Sequence, residues 1–391
     1  MIPPDWLQAI DSTQVTRDAS GKLTRIEILR PSDFHGHLRQ GAVTRAVIKP
    51  ITRMFKYFLA MPNNGENGPI WSVDEMLRYR NVLYSTERGK YNNVNFIVTL
   101  YLTRETTPAV IRELARLAQS GIPCAVKYYP PHKGATTGSG HGIALSEATE
   151  TLREMEILGV RLLGHFESVY DKNGRELPHA LREGYFMEHE FPYLRNAFPR
   201  LKISIEHAST IAAYNRVLED TSGNTACTVP PQHLMFTVRD LQRLSWRNHL
   251  KCMPIVKTSD DIAMGRERVT SGDYRFILGT DTAPHLSRFK IGSFDDCASG
   301  CYVPHALALY AQVFDEMDAL ENGAFVRFAS MNGPKWWGLP LPEWDDTVIL
   351  QRPENGDGLP DPTAVPEEND RIIPLGWTTE PDRLKVGLTC T

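Results

Sequence analysis

The sequence predicts an α/β protein built as a (β/α)8 TIM barrel with an appended C-terminal wrap. Three observations predict it: eight short apolar runs of strand length, segments of helical pattern between them, and ligand-type residues recurring at the strand ends. The runs are near-continuously apolar, which indicates a parallel sheet covered by helices. An open, doubly wound sheet is the alternative. No glycine-rich dinucleotide fingerprint follows any strand, and that weighs against it.

The first expected strand lies in residues 27–39, which read as a strand running into a loop with His35-Gly36-His37 toward its end. The others are residues 57–61, 95–102, 124–129, 161–166, 202–207, 225–229 and 275–281. Between them, residues 107–118 open with Thr107 as cap and Pro108 in the first turn, carry apolar residues at helical spacing, and stop before Gly121 and Pro123. Residues 146–159 follow the same logic, with Ser146 as the expected cap and Gly159 as the terminator. After Gly338 the chain turns rich in proline and acidic groups. Residues 1–338 are therefore read as the barrel and 339–391 as an extension packed on it, with 360–370 a surface loop.

With 391 residues, 41% of them hydrophobic and 23% charged, the chain can bury a large core. A net charge of −4 gives no general attraction to nucleic acid or to an anionic membrane. No run of about 18 apolar residues is present, and residues 1–11 lack the pattern of a secretory signal. A soluble, cytoplasmic protein is expected. Six cysteines in so long a chain do not form a disulfide framework. Cys124 and Cys227 lie in apolar runs and read as buried thiols. Cys297 and Cys301 have the spacing of a metal pair, but no second pair accompanies them.

Chemistry in such a barrel gathers at the C-terminal ends of the strands. Read in order, those ends give His35 and His37, Asn63, Lys127, His165, His207 and Asp281. Any one of them alone reads as a rim or core residue; together, in register, they read as a metal site. Residues i and i+2 of an extended segment face one side, so His35 and His37 can address one ion. Lys127 is the odd member, because an ammonium repels nearby cations. Burial lowers its pKa toward the neutral amine. That amine can add carbon dioxide to form a carbamate, a two-oxygen anion able to bridge two metals. The alternative is a rim lysine paired with a carboxylate. Ligation by histidine and carboxylate without thiolate suits zinc. A zinc pair about 3.5–4 Å apart can hold a bridging hydroxide as nucleophile, with Asp281 taking the proton.

These residues resemble the dihydroorotases of the single-function bacterial and fungal type, within the amidohydrolase superfamily. The resemblance runs from about Ile26 to Leu339. It is carried by Asp33-Phe34-His35-Gly36-His37-Leu38-Arg39, Met61-Pro62-Asn63, Ala125-Val126-Lys127-Tyr128-Tyr129-Pro130, Pro231-Gln232-His233-Leu234-Met235-Phe236 and Gly279-Thr280-Asp281-Thr282-Ala283-Pro284-His285. It implies the interconversion of N-carbamoyl-L-aspartate and dihydroorotate, the third step of de novo pyrimidine synthesis. It further implies one zinc on His35, His37 and Asp281, a second on His165 and His207, and carboxylated Lys127 between them. Asp281 would be general base for ring opening and general acid for ring closure.

By the same resemblance Arg39, Asn63 and His285 hold the substrate carboxylate, while backbone groups of Leu234 and Ala298 touch the ring. A threonine pair on a flexible loop, here Thr136 and Thr137, contacts the substrate. Relatives are often homodimers, so a homodimer is a possible assembly. The residues themselves agree in part. Arg39 follows His37 by two and can fork onto a carboxylate in the same cavity. His285 follows Asp281 by four, across Ala283-Pro284. The glycine-rich loop 130–142 is a plausible lid. Two other readings remain. A hydantoinase or allantoinase would share the metal site without needing the Arg39–Asn63 clamp. A catalytically silent barrel acting as a scaffold would be expected to lack some of the ligands present here.

Overall fold

The computed structural model describes residues 13–63, 68–87, 94–132, 140–354 and 356–390. Their first regular structure is an antiparallel pair, β1 (Gln14–Arg17) and β2 (Leu23–Leu29). Eight parallel strands follow: β3 (Asp33–Gly36), β4 (Tyr57–Ala60), β5 (Asn95–Tyr101), β6 (Cys124–Tyr128), β7 (Arg161–Gly164), β8 (Ile203–Ile205), β9 (Thr225–Val229) and β10 (Phe276–Leu278). Each pairs with its neighbour in chain order. A parallel bridge from Gly36 to Thr282 joins the first to the last. Two hydrogen bonds fasten that seam, His37 N–H to the Thr282 carbonyl and Asp281 N–H to the His35 carbonyl, both 2.8 Å. The barrel, rather than the open sheet, is the fold. Its seam lies among the expected ligands.

One expected strand proves to be two. Glu27-Ile28-Leu29 belongs to β2, which lies outside the barrel, and the barrel strand starts only at Asp33. Pro31 lies between them and has no N–H to continue a ladder. On its other edge β2 pairs with β11 (Thr347–Gln351), from Leu29 opposite Thr347 to Arg25 opposite Gln351. β12 (Thr363–Val365) and β13 (Asp370–Ile372) form a separate hairpin where a loop was expected. β14 (Thr389–Cys390) pairs with β11, so the tail completes a four-stranded sheet with the first two strands.

The helix Pro108–Gln119 has Thr107 at its cap and Pro108 in the first turn, as the sequence predicts, with Ile111 and Leu114 buried beneath it. The next helix, Thr149–Leu158, starts later than expected, with Ala148 rather than Ser146 at its cap. Residues 145–148 instead form a turn in which Ala148 N–H bonds the Leu145 carbonyl, and Ser146 offers its carbonyl to the Thr149 hydroxyl. Gly159 ends the helix in the left-handed conformation, φ 72°, as glycine allows.

Inside the barrel, Leu59, Ile97, Ala125, Leu163 and Ile277 pack together with Phe34, Trp336 and Trp337. Phe34 stacks on Trp337 at 5.6 Å between ring centroids. The helix Asn332–Trp337 thus plugs the N-terminal end with aromatic surface. Two residues beyond inward-facing Ala125 and Leu163 come Lys127 and His165, on the same side of their chains. The opposite end of the barrel is therefore lined with polar groups. Among the described residues, no helix is long and apolar enough to cross a membrane.

Candidate metal centre and active site

His35, His37 and Asp281 meet at the mouth of the barrel. One ligand atom from each lies within 4.8 Å of the others. The Asp281 carboxylate is 3.4 Å from His35 Nε2 and 3.6 Å from His37 Nε2. The His207 ring lies 5.0 Å from that of His35 and 4.5 Å from that of His165, centroid to centroid. Burial holds His35, His37 and His207 far below the ordinary histidine pKa, so each presents a neutral imidazole with a free lone pair. His207 and Asp281 reach their positions with left-handed backbone, φ 43° and 48°. Such conformations cost about 1–3 kcal/mol each and persist where the surroundings enforce them. Gly36 serves packing: a Cβ there would lie 2.3 Å from the Phe58 ring.

Lys127 is fully buried within the set, and its amine has no hydrogen-bond partner among the described residues. Burial pushes its pKa down, against the opposing pull of Glu206 and Asp281. The aromatic face of Tyr129 lies 5.0 Å from the amine. An unpartnered buried amine among neutral imidazoles fits the carbamate reading, since it is held toward the neutral, nucleophilic form. The donor set fits zinc: nitrogen and oxygen ligands, neutral imidazoles and a carboxylate.

Carboxylates behind the histidines fix their rings. Glu206 Oε2 is 2.5 Å from His35 Nδ1 and 2.8 Å from the Thr228 hydroxyl that donates to it. The same hydroxyl oxygen accepts from His207 N–H at 2.9 Å. Glu167 Oε2 lies 2.7 Å from His165 Nε2, leaving Nδ1 of that ring for other work. A carboxylate on the far nitrogen selects the tautomer and raises ligand basicity. The sequence reading did not single out Glu206, Glu167 or Thr228. Glu206 beside His207 and Glu167 two residues after His165 were the available signals.

Arg39 is buried, with left-handed backbone at φ 59°. Its guanidinium donates from Nε to the Pro284 carbonyl at 3.1 Å and from Nη1 to the Asn63 carbonyl at 3.1 Å. Nη2 lies 3.0 Å from His285 Nε2. That nitrogen is also 2.9 Å from the Ser299 carbonyl, so it accepts from the one or donates to the other. The three expected clamp residues are thus together. Asn63, Tyr129, Met253, Ser299 and Gly300 line the cleft with the histidines. Ala298 is next to this wall. Leu234 is elsewhere engaged, its N–H on the Pro231 carbonyl and its carbonyl on Arg266. Thr136 and Thr137 lie outside the described residues. Cys124, Cys227, Cys297 and Cys301 are buried free thiols, and the sulfurs of Cys297 and Cys301 donate to the backbone carbonyls of Phe294 and Leu250.

The chain has relatives among known proteins. It is 36% identical over 353 residues to a dihydroorotase from Escherichia fergusonii, covering 90% of this chain and 94% of that one. A dihydroorotase from Halorhodospira halophila is 38% identical over 350 residues, 88% of this chain and 94% of the relative. The chain belongs to the dihydroorotase family. As such it is a cyclic amide hydrolase of amidohydrolase fold, and a metal cofactor follows from membership of the dihydroorotase family. Among solved structures it resembles the Saccharomyces cerevisiae dihydroorotase in complex with 5-fluoroorotic acid, with TM-score 0.79 and 25% identity over 94% of this chain and 98% of the other. An L-hydantoinase from Arthrobacter aurescens, TM-score 0.67 at 15% identity over 86% of this chain and 78% of the other, shares the fold. No family model matches the chain.

Proposed function

We propose that this dihydroorotase family member interconverts N-carbamoyl-L-aspartate and (S)-dihydroorotate, the third step of de novo pyrimidine biosynthesis, with two zinc ions. The observation that carries the reading is the buried, unpartnered Lys127 amine among four imidazoles and Asp281. His35, His37 and Asp281 would hold one zinc, His165 and His207 the other, and Lys127 as its carbamate would bridge them. A zinc pair held there supplies Lewis acidity at the amide carbonyl and lowers the pKa of water toward 7.

The chain's own groups do the rest. Asp281, buried at the mouth of the barrel within 3.6 Å of His35 Nε2 and His37 Nε2, would take a proton in ring opening and return it in closure. Arg39, already oriented by the Pro284 and Asn63 carbonyls, presents its fork to the substrate carboxylate, with Asn63 and His285 beside it. The N–H groups of Leu234 and Ala298 are already engaged, so only their carbonyls, each with a second lone pair, would touch the ring, and Thr136 and Thr137 would contact the substrate. Residues 1–338, whose strands β1 and β2 stand outside the barrel itself, would form the catalytic domain and 339–391 an extension packed on it. The protein would act in the cytoplasm on a small molecule, with neither nucleic acid nor membrane as partner, and a homodimer is compatible with this role.

Metal analysis of the zinc-loaded protein, with an ultraviolet assay for dihydroorotate, tests the reading. Close to two zinc per chain and turnover in both directions are expected. Chelation should abolish turnover and added zinc restore it. Metal-replete protein inactive in both directions overturns the assignment.

A further inference from the structure

Two buried lysines outside the metal set hold the wall of the cleft. Lys251 is 6% exposed and Lys290 4%. The Lys251 ammonium donates to the carbonyls of Phe294 at 2.6 Å, Asp295 at 2.8 Å and Cys297 at 2.8 Å. The Lys290 ammonium donates to those of Ala298 at 2.8 Å, Gly300 at 2.9 Å and, more loosely, Lys251 at 3.4 Å. An ammonium has three N–H donors, so each lysine uses all of them. Gly300 N–H bonds the Lys251 carbonyl at 2.7 Å, and Ala298 N–H bonds that of Phe289 at 2.8 Å. The carbonyls of residues 297, 298, 299 and 300 thus face Lys251, Lys290, His285 and Lys290 in turn.

This arrangement answers a backbone problem. The segment is irregular, so no ladder satisfies its buried carbonyls. A compact point charge with three rotatable donors can gather carbonyls that converge from several residues. Burying an ammonium is costly, and burial pushes Lys290 down to about 8. Its partners are neutral carbonyls, so its charge is not cancelled, and that charge is felt at His285, the ring that Arg39 touches. The wall is tightly fitted: Gly300 has φ 132°, and a Cβ there would stand 2.7 Å from that of Ala283 and 3.2 Å from His285 Nε2.

We propose that Lys290, with Lys251, is a positioning residue for the substrate-carboxylate end of the cleft, fixing residues 297–300 against His285. The proposal rests on the function proposed above, and it concerns binding rather than the chemical step. The metal ligands sit on or just beyond the barrel strands, and neither lysine bonds to any of them.

The test compares Lys290→Met and Lys251→Met with the wild-type full chain, all zinc-loaded. The KM for N-carbamoyl-L-aspartate should rise about tenfold or more, while kcat stays within about threefold and zinc content is unchanged. An unchanged KM, or a fall in kcat that tracks lost zinc, overturns the proposal. Hydrogen exchange on the wild type supplies a readout independent of variant folding. The Ala298 and Gly300 amides should exchange as slowly as those of β9 and β10, and fast exchange at both overturns the proposal. Wild-type protein without turnover would refute the reaction, while the exchange rates would still decide whether the wall is fixed.

Discussion

The guanidinium of Arg39 stands 3.0 Å from the His285 ring, Nη2 to Nε2, and joins the loop after β3 to the turn after β10. Those two elements flank the barrel seam, so the contact forms only when the barrel is closed. With Nε and Nη1 anchored on carbonyls, the planar fork has one orientation and loses little freedom on meeting a carboxylate.

Arg39→Met should therefore impair substrate use without emptying the metal site. Hydrogen bonds to charged groups contribute about 1.5–3 kcal/mol, which corresponds to a fall in kcat/KM of about 10–150-fold. The loss should appear mainly in KM, with zinc content at the wild-type level. Steady-state kinetics with parallel metal analysis decides it, and unchanged kinetics would remove Arg39 from the clamp.

Lys127→Ala should reduce turnover to background and lower zinc occupancy. The argument is electrostatic: without an anion between them, two cations a few ångströms apart repel strongly in a buried site. A short carboxylic acid such as acetate or propionate, small enough for the space vacated by the side chain, should restore part of the activity. Full activity in the variant without any additive would rule out the bridge.

The barrel was legible because its strands are continuous apolar runs, and the polar residues that meet at its mouth were legible because they end those runs. Pro31 blurred the first strand: residues 27–39 read as one extended segment, yet the proline separates a strand of the outer sheet from a strand of the barrel. Ser146 had the chemistry of a cap without the position of one, because the preceding turn delays the helix to Thr149. The partners behind the ligands were not legible. Glu206 and Thr228 come from adjacent strands, and their meeting depends on β8–β9 register. Lys251 and Lys290 look like surface lysines in sequence. Their burial depends on carbonyls up to 46 residues distant along the chain.

Glu206→Gln tests the role of the carboxylate behind His35. The amide keeps the shape but removes the charge that raises the basicity of His35 as a ligand. Loss of such a partner typically costs about 10–100-fold in metal affinity or activity. Zinc titration against a competing chelator should show that weakening, and kcat should recover substantially at saturating zinc. Unaltered zinc affinity would reduce Glu206 to a packing role.

His305 offers a pH-dependent prediction away from the metal ligands. It is buried, both ring nitrogens lack a partner among the described residues, and burial pushes its pKa down to about 3. His249 is lowered to about 4 by burial together with the charge of Lys290. In the unfolded chain both titrate near 6.5, so between that pH and their folded values the unfolded state binds more protons. Their contribution to stability is complete above about pH 6.5 and is lost as pH falls toward the folded values. Each such histidine can add up to about 1.4 kcal/mol per pH unit to the acid slope. Urea unfolding of wild type and His305→Leu at pH 7, 6 and 5 isolates the His305 share. The variant should lose less stability per unit of acidification, by nearly one proton's worth at the lower end. Parallel slopes would mean that His305 takes up its proton in the folded state as readily as in the unfolded one.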